Sequence, residues 1–209
     1  MKYIKFFINT LIKIAYICFP YKRYIKVVRF FEFIKTSWIV NSFASVGLKP
    51  IFRYPLYIKG AESIKIGNNF YTGPGFRIEV WNTDKNEKNN IIIEIGNNVS
   101  FNFNCHIGAI NKIMIKDNVM VGSNVLITDH SHGTNTGKET ETPTWERPLF
   151  SKGHVIIEDN VWIGENVCIL PNVTIGKNSI IGCNSVINKN IPPNVIAAGN
   201  PAKIIKELS

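Results

Sequence analysis

Residues 157–192 read IEDNVW IGENVC ILPNVT IGKNSI IGCNSV INKNIP, six consecutive hexads that each begin with isoleucine. Ile157, Ile163, Ile169, Ile175, Ile181 and Ile187 hold position 1, and asparagine holds position 4 in all six. A six-residue period is neither the 3.6 of an amphipathic helix nor the 2 of a half-buried strand. It suits short strands separated by tight corners. Position 1, and the Val, Ser or Ile at position 5, then face one interior, while Gly and Asn serve corners that require positive φ. Three hexads make one triangular coil of 18 residues, and stacked coils bury a continuous core.

The same spacing runs earlier in the chain. It reads IGNNVS, FNFNCH, IGAINK from Ile95, Phe101 and Ile107, slips by two residues, and resumes as IKDNVM, VGSNVL, ITDHSH from Ile115, Val121 and Ile127. A weaker copy, IGNNFY, begins at Ile66. Between ITDHSH and IEDNVW the repeat stops. Residues 133–156 form a polar, Thr-rich stretch with Pro143 and Pro148, a long loop projecting from a regular scaffold, where functional groups tend to be placed.

The 209 residues carry a net charge of +9, which over a whole chain would suit a polyanion binder. Its distribution argues otherwise. Residues 1–60 hold eleven Lys/Arg and one acid, Glu32; the remaining residues hold thirteen basic and fourteen acidic side chains. The body is close to neutral, so no nucleic-acid partner is expected. Cys18, Cys105, Cys168 and Cys183 form no C-x-x-C pair and read as small buried hydrophobes in a reducing compartment. Lys5 and Lys13 interrupt the apolar stretch Tyr3–Tyr21, which therefore reads as neither a spanning helix nor a signal peptide. A cytoplasmic protein is expected.

These residues resemble the hexapeptide-repeat acyltransferases, in particular the galactoside/maltose O-acetyltransferase group and the capsule or O-antigen acetyltransferases. The likeness runs from Ile64 to Leu208 and is most specific over Val161–Lys206. It implies a mainly β fold, a left-handed parallel β-helix occupying residues 61–209, with residues 1–60 as a separate helical segment. It also implies a homotrimer with active sites between neighbouring subunits, acetyl-CoA as donor, no metal requirement, and a carbohydrate acceptor such as a capsule, O-antigen or exopolysaccharide unit.

The resemblance places a catalytic histidine where the loop leaves the coils. Acyl transfer to a hydroxyl needs a general base, and imidazole titrates in the appropriate range. Counted from Val121, the family position falls on His132; a small insertion or deletion moves it to His130. Asp129 is placed to orient either ring. His106 and His154 lack this context and read as structural. His130 and His132 alone make a weak zinc site, because a clear third ligand and the wider H-x4-H spacing of carbonic-anhydrase-like proteins of the same fold are absent.

On the donor side the resemblance places Gly164, Cys183 and Asn188 along the pantetheine groove, with Cys183 as a wall. Lys189, Lys203 and Lys206 fall near the nucleotide phosphates. On the acceptor side it places Asn102 and Trp162. The acidic acceptor-binding residue of the galactoside enzymes falls near Ile110 and does not match, so a simple galactoside is not expected. Trp145 and Arg147 are acceptor candidates by location in the loop alone. Two other readings remain open: N-acetylation of an amino sugar, nucleotide-linked or not, and a non-catalytic β-solenoid binding module.

Ile4, Ile8, Leu11, Ile12 and Tyr16 have helical spacing, as does the stretch Tyr24–Val40. Two helices are expected ahead of the repeats. They either cap the first coil or carry residues 1–40 onto an anionic membrane face.

Overall fold

The computed structural model describes residues 1–81, 90–134 and 136–208; Asn135, within the predicted loop, lies outside the described residues. Two helices, α1 (Lys2–Cys18) and α2 (Tyr21–Ile39), precede a body of short strands. The strands form three parallel sheets, and along the coils successive strands pass from one sheet to the next. The first sheet runs from Ser45–Val46 through Ile113–Ile115 to Val173–Ile175. The second runs from Ile51–Phe52 to Val195–Gly199, where an antiparallel strand, Ala202–Glu207, joins its edge. The third runs from Leu56–Lys59 to Val186–Ile187.

The registers obey the hexad count. Val155 pairs with Val173, Ile163 with Ile181 and Ile169 with Ile187, each one coil apart. Position 1 is fully buried in all six C-terminal hexads, and position 5 is buried from Val161 through Val167, Val173, Ser179 and Ser185 to Ile191. Asn160, Asn166, Asn172, Asn178 and Asn184, each at position 4, adopt φ between 57° and 63°. An asparagine side chain can stabilise this left-handed conformation locally. Here the side chains also form a ladder: Asn160 donates to Asn178 at 3.1 Å, and Asn178 to Asn194 at 2.8 Å.

The core changes character along the stack. Ile and Val fill the C-terminal coils, whereas Phe43, Phe52, Phe70, Phe76 and Phe101 form an aromatic column at the other end, with ring centroids 5.0–6.2 Å apart. Each such ring, fully buried, contributes roughly 2–3 kcal/mol by area.

Parallel pairing begins at Ser45, ahead of the boundary expected at residue 60. Val46, Phe52 and Ile58 keep the six-residue step, but Lys49 supplies the left-handed corner in place of asparagine. The inserted loop is also shorter than residues 133–156: Ser131–His132 pairs antiparallel with Leu149–Phe150, and Val155 is already back in the first sheet. Of the cysteines only Cys105 is buried. Cys168 is half-buried, and Cys18 and Cys183 are exposed, because Cys18 ends a helix that touches no core and Cys183 sits at an outer corner.

Candidate active site

Two extra residues between Ile107 and Ile115 lengthen this coil beyond the regular step that pairs Ile157 with Ile175. The corner they widen, Ile110–Lys112, turns three backbone N–H groups onto Asp129. Ile110 N donates to Oδ1 at 2.9 Å, and Asn111 N and Lys112 N donate to Oδ2 at 2.8 Å each. Asp129 is completely buried, and three donors meet the charge that burial would otherwise penalise. Its Oδ1 also lies 3.1 Å from Nδ1 of His130.

His130 occupies position 4 of its hexad, where other coils place the corner asparagine. Its Nδ1 is within 3.2 Å of Thr128 Oγ1 as well, and its side chain is 14% exposed. A ring whose Nδ1–H points at a carboxylate leaves the Nε2 lone pair free to accept a proton. His132, two residues further, lies on the hairpin opposite Leu149 and is exposed.

A cavity of about 360 Å³ opens over the outer face of the third sheet. Both histidines line it, together with Trp145 and Arg147 from the hairpin. Trp145 rides on the turn Thr144–Glu146 and is 79% exposed. Arg147 is partly used by the hairpin itself, donating to the Thr142 carbonyl at 2.9 Å. Glu139 closes the same hairpin by accepting from Thr134 N.

The opposite wall was not legible in the sequence. Parallel register sets Arg77 beside His106 and Glu79 beside Gly108. Glu79 Oε2 accepts from Arg77 Nε at 2.6 Å and lies 3.0 Å from His106 Nε2. Its other oxygen, Oε1, is buried without a hydrogen-bond partner among the described residues. Burial pushes the His106 imidazole below its usual range, with Glu79 opposing that shift and Arg77 adding to it. Gly108 has no side chain where the two imidazoles converge: a Cβ there would lie 3.3 Å from His130 Cε1 and 3.5 Å from His106 Nε2. His106, expected to be structural, is therefore a wall of the same cavity as His130. His154 lies elsewhere, beside Asn172 and Asn190.

The remaining candidates lie away from this cavity within one chain. Asn102 is an exposed corner of its coil. Trp162 stands on the outer face of the second sheet, between Met120 and Ile180, and is half exposed. Gly164 and Cys183 meet at successive corners, where a Cβ on Gly164 would lie 2.9 Å from Cys183 Sγ. Asn188 and Lys189 are exposed after the last strand of the third sheet.

Lys203 pairs with Ala198 and Lys206 with Ile196, with a bulge between Ile196 and Ala197. Residues 196 and 198 share a face, so the bulge brings two lysines spaced by three onto that face. Two lysines on one face offer point charges to a phosphate.

The scaffold and cavity can be compared with known proteins. Residues 154–189 match the bacterial transferase hexapeptide family (six repeats). The Escherichia coli K12 protein assigned as the lipopolysaccharide biosynthesis O-acetyl transferase WbbJ is 37% identical over 161 residues, 75% of this chain and 78% of its own length. A solved galactoside acetyltransferase in complex with coenzyme A is 30% identical, covers 83% of this chain and 70% of its own, and superposes with a TM-score of 0.56. AntD of Bacillus cereus, an N-acyltransferase solved with a nucleotide-linked amino sugar and coenzyme A, reaches a TM-score of 0.70 over 84% of this chain and 89% of its own, at 20% identity, a likeness of fold alone. The chain belongs to the hexapeptide-repeat acetyltransferases.

Proposed function

We propose that this protein moves an acetyl group from acetyl-CoA to a hydroxyl of a carbohydrate, such as a capsule, O-antigen or exopolysaccharide unit, with His130 as general base. The observation that carries this reading is the Asp129–His130 pair on the wall of the cavity. Asp129, fixed by three amides, holds the His130 ring. Nε2 removes the proton from the acceptor hydroxyl as its oxygen bonds to the acetyl carbon. The thiolate then leaves and takes the proton from the imidazolium. A backbone N–H or similar donor meets the negative charge on the carbonyl oxygen during transfer. Acetyl-CoA supplies the activated thioester.

The Asp129 contact favours His130 over His132, the residue selected by counting. Trp81 and Trp145 offer flat apolar faces to a sugar ring, and Arg77 and Glu79 offer polar partners to its hydroxyls. The buried Glu79 oxygen is satisfied when an acceptor or water donates to it.

The coils wind as a left-handed β-helix in this reading, and the active protein is a trimer. Support for the trimer comes from the division of candidates within one chain. The His130 cavity lies on the third sheet, whereas Trp162 and the lysine pair lie on the second. Packing one face against another joins the donor and acceptor sets.

The test is acetyl-CoA turnover, followed by thiol release, against a panel of oligosaccharides and amino sugars. An ester product, cleaved by mild alkali, is expected. An alkali-stable amide would replace O-acetylation by N-acetylation, and turnover with no acceptor in the panel would withdraw the carbohydrate assignment.

A further inference from the structure

The two N-terminal helices have different relations to the body. α2 is tied down by one stripe: Ile25, Val28, Glu32, Thr36 and Ile39 are its buried or half-buried positions, at the three- and four-residue steps of one helix face. Thr36 Oγ1 accepts from Phe52 N at 3.3 Å, and Glu32 pairs with Arg53. This helix caps the first coil, as expected of a solenoid terminus. α1 buries nothing. Phe6 is 73% exposed and Ile17 77%, and Ile4, Phe7, Leu11, Ile12 and Ile14 are each about half exposed or more.

The polar residues of α1 are arranged with equal clarity. Lys2, Lys5, Asn9 and Lys13 follow one another at steps of three, four and four, a single narrow stripe. The Thr10 hydroxyl is turned back onto the Phe6 carbonyl at 3.0 Å, and Tyr3 and Tyr16 add amphipathic rings suited to a membrane interface. The remaining arc is apolar. Residues 1–31 hold seven Lys/Arg and no Asp or Glu.

We propose that α1 is a membrane-surface helix, which lies in the interface of an anionic lipid bilayer with its Lys2–Lys5–Lys13 stripe at the headgroups and anchors the acetyltransferase there. Its length of 17 residues spans about 25 Å, short of the roughly 30 Å hydrocarbon core, and no single helix among the described residues is long and apolar enough to cross a membrane. The chain bends by 62° between α1 and α2, and α2 is held by the protein, so the pair does not form one straight span. Lysines on one face opposite Phe and Leu on the other are the arrangement of an interfacial helix. A second copy of α1 is the less suitable occupant: it brings the same unrelieved positive charge, whereas anionic headgroups complement it. This assignment is independent of the transfer chemistry.

Vesicle flotation of the full-length protein tests it, with phosphatidylcholine vesicles compared against phosphatidylcholine/phosphatidylglycerol vesicles at low and high salt. Wild type is expected to float with the anionic vesicles and to be released by salt. Lys5→Ser/Lys13→Ser is expected to lower the partition coefficient about thirtyfold. Phe7→Glu/Leu11→Glu, at the centre of the apolar arc, is expected to abolish flotation while acetyl-CoA turnover persists. Failure of wild type to float, or equal salt-indifferent flotation with neutral vesicles, would overturn the proposal. So would larger wild-type assemblies by light scattering that Phe7→Glu/Leu11→Glu disperses, with lipid ignored, since the occupant is then a second copy. The lysine variant alters only exposed positions, so its partition coefficient decides the question even if the glutamate variant fails to fold.

Discussion

Asp129 holds Nδ1 of His130 at 3.1 Å while its own two oxygens are held by the amides of Ile110, Asn111 and Lys112. The carboxylate thus joins the corner at His130 to the preceding coil, and in the proposed mechanism the same contact orients the base.

Asp129→Ala leaves three part-buried N–H groups without their carboxylate partner. It is expected to lower unfolding free energy by roughly 3 kcal/mol. Activity falls further than stability alone explains, because His130 loses its orienting partner. Denaturant titration beside turnover measured well below the unfolding midpoint separates the two effects; an unchanged midpoint would contradict the amide cradle.

Glu79 stands across the cavity and touches Arg77 and His106. Glu79→Gln keeps the shape and removes the charge. The acceptor KM is expected to rise about tenfold, with the acetyl-CoA KM unchanged. A shift confined to the acetyl-CoA KM would move Glu79 from the acceptor side to the donor side.

His106 also gives stability a pH dependence. Burial lowers its folded-state pKa below the ordinary imidazole value of about 6.5, so at higher pH both states hold it neutral. As pH falls through 6.5 the unfolded chain takes up the proton first, and stability declines until the folded state also protonates. Wild type is therefore expected to lose more stability between neutral and mildly acid pH than His106→Gln. Equal losses in urea midpoint would remove His106 as the source.

Thiol labelling reads the corners. Burial pushes the Cys105 thiol up to about 11, and it is expected to react only on unfolding. Cys18 and Cys183 are exposed and react in the native state. If Cys183 borders the pantetheine arm, desulfo-coenzyme A, which has no thiol to consume the reagent, slows its labelling and leaves Cys18 unaffected. Equal rates with and without desulfo-coenzyme A would remove Cys183 from the donor groove.

The scaffold was largely written in the hexads, because the position of each residue in a coil fixes both its burial and its corner geometry. Ile157 to Ile187 and the asparagines from Asn160 to Asn184 behave as their spacing predicts. The first coil escaped notice because Lys49 stands where asparagine marks the corner. The break after Ile127 located the cavity and two of its histidines. His106 and Glu79 were not recoverable in the same way. They are far apart in sequence, and the residues between them include a stretch after Trp81 whose sequence follows no hexad. Cys183 and Cys18 show the limit of composition: cysteine is commonly buried, but location decides.

Turnover of acetyl-CoA in the presence of acceptor, measured for His130→Ala and His132→Ala side by side, tests the account most directly. Removal of the general base is expected to lower kcat about 10²–10⁴-fold in His130→Ala, whereas His132→Ala stays within about tenfold of wild type. Near-normal turnover in His130→Ala, with the large loss in His132→Ala instead, would contradict the role assigned to the Asp129–His130 pair.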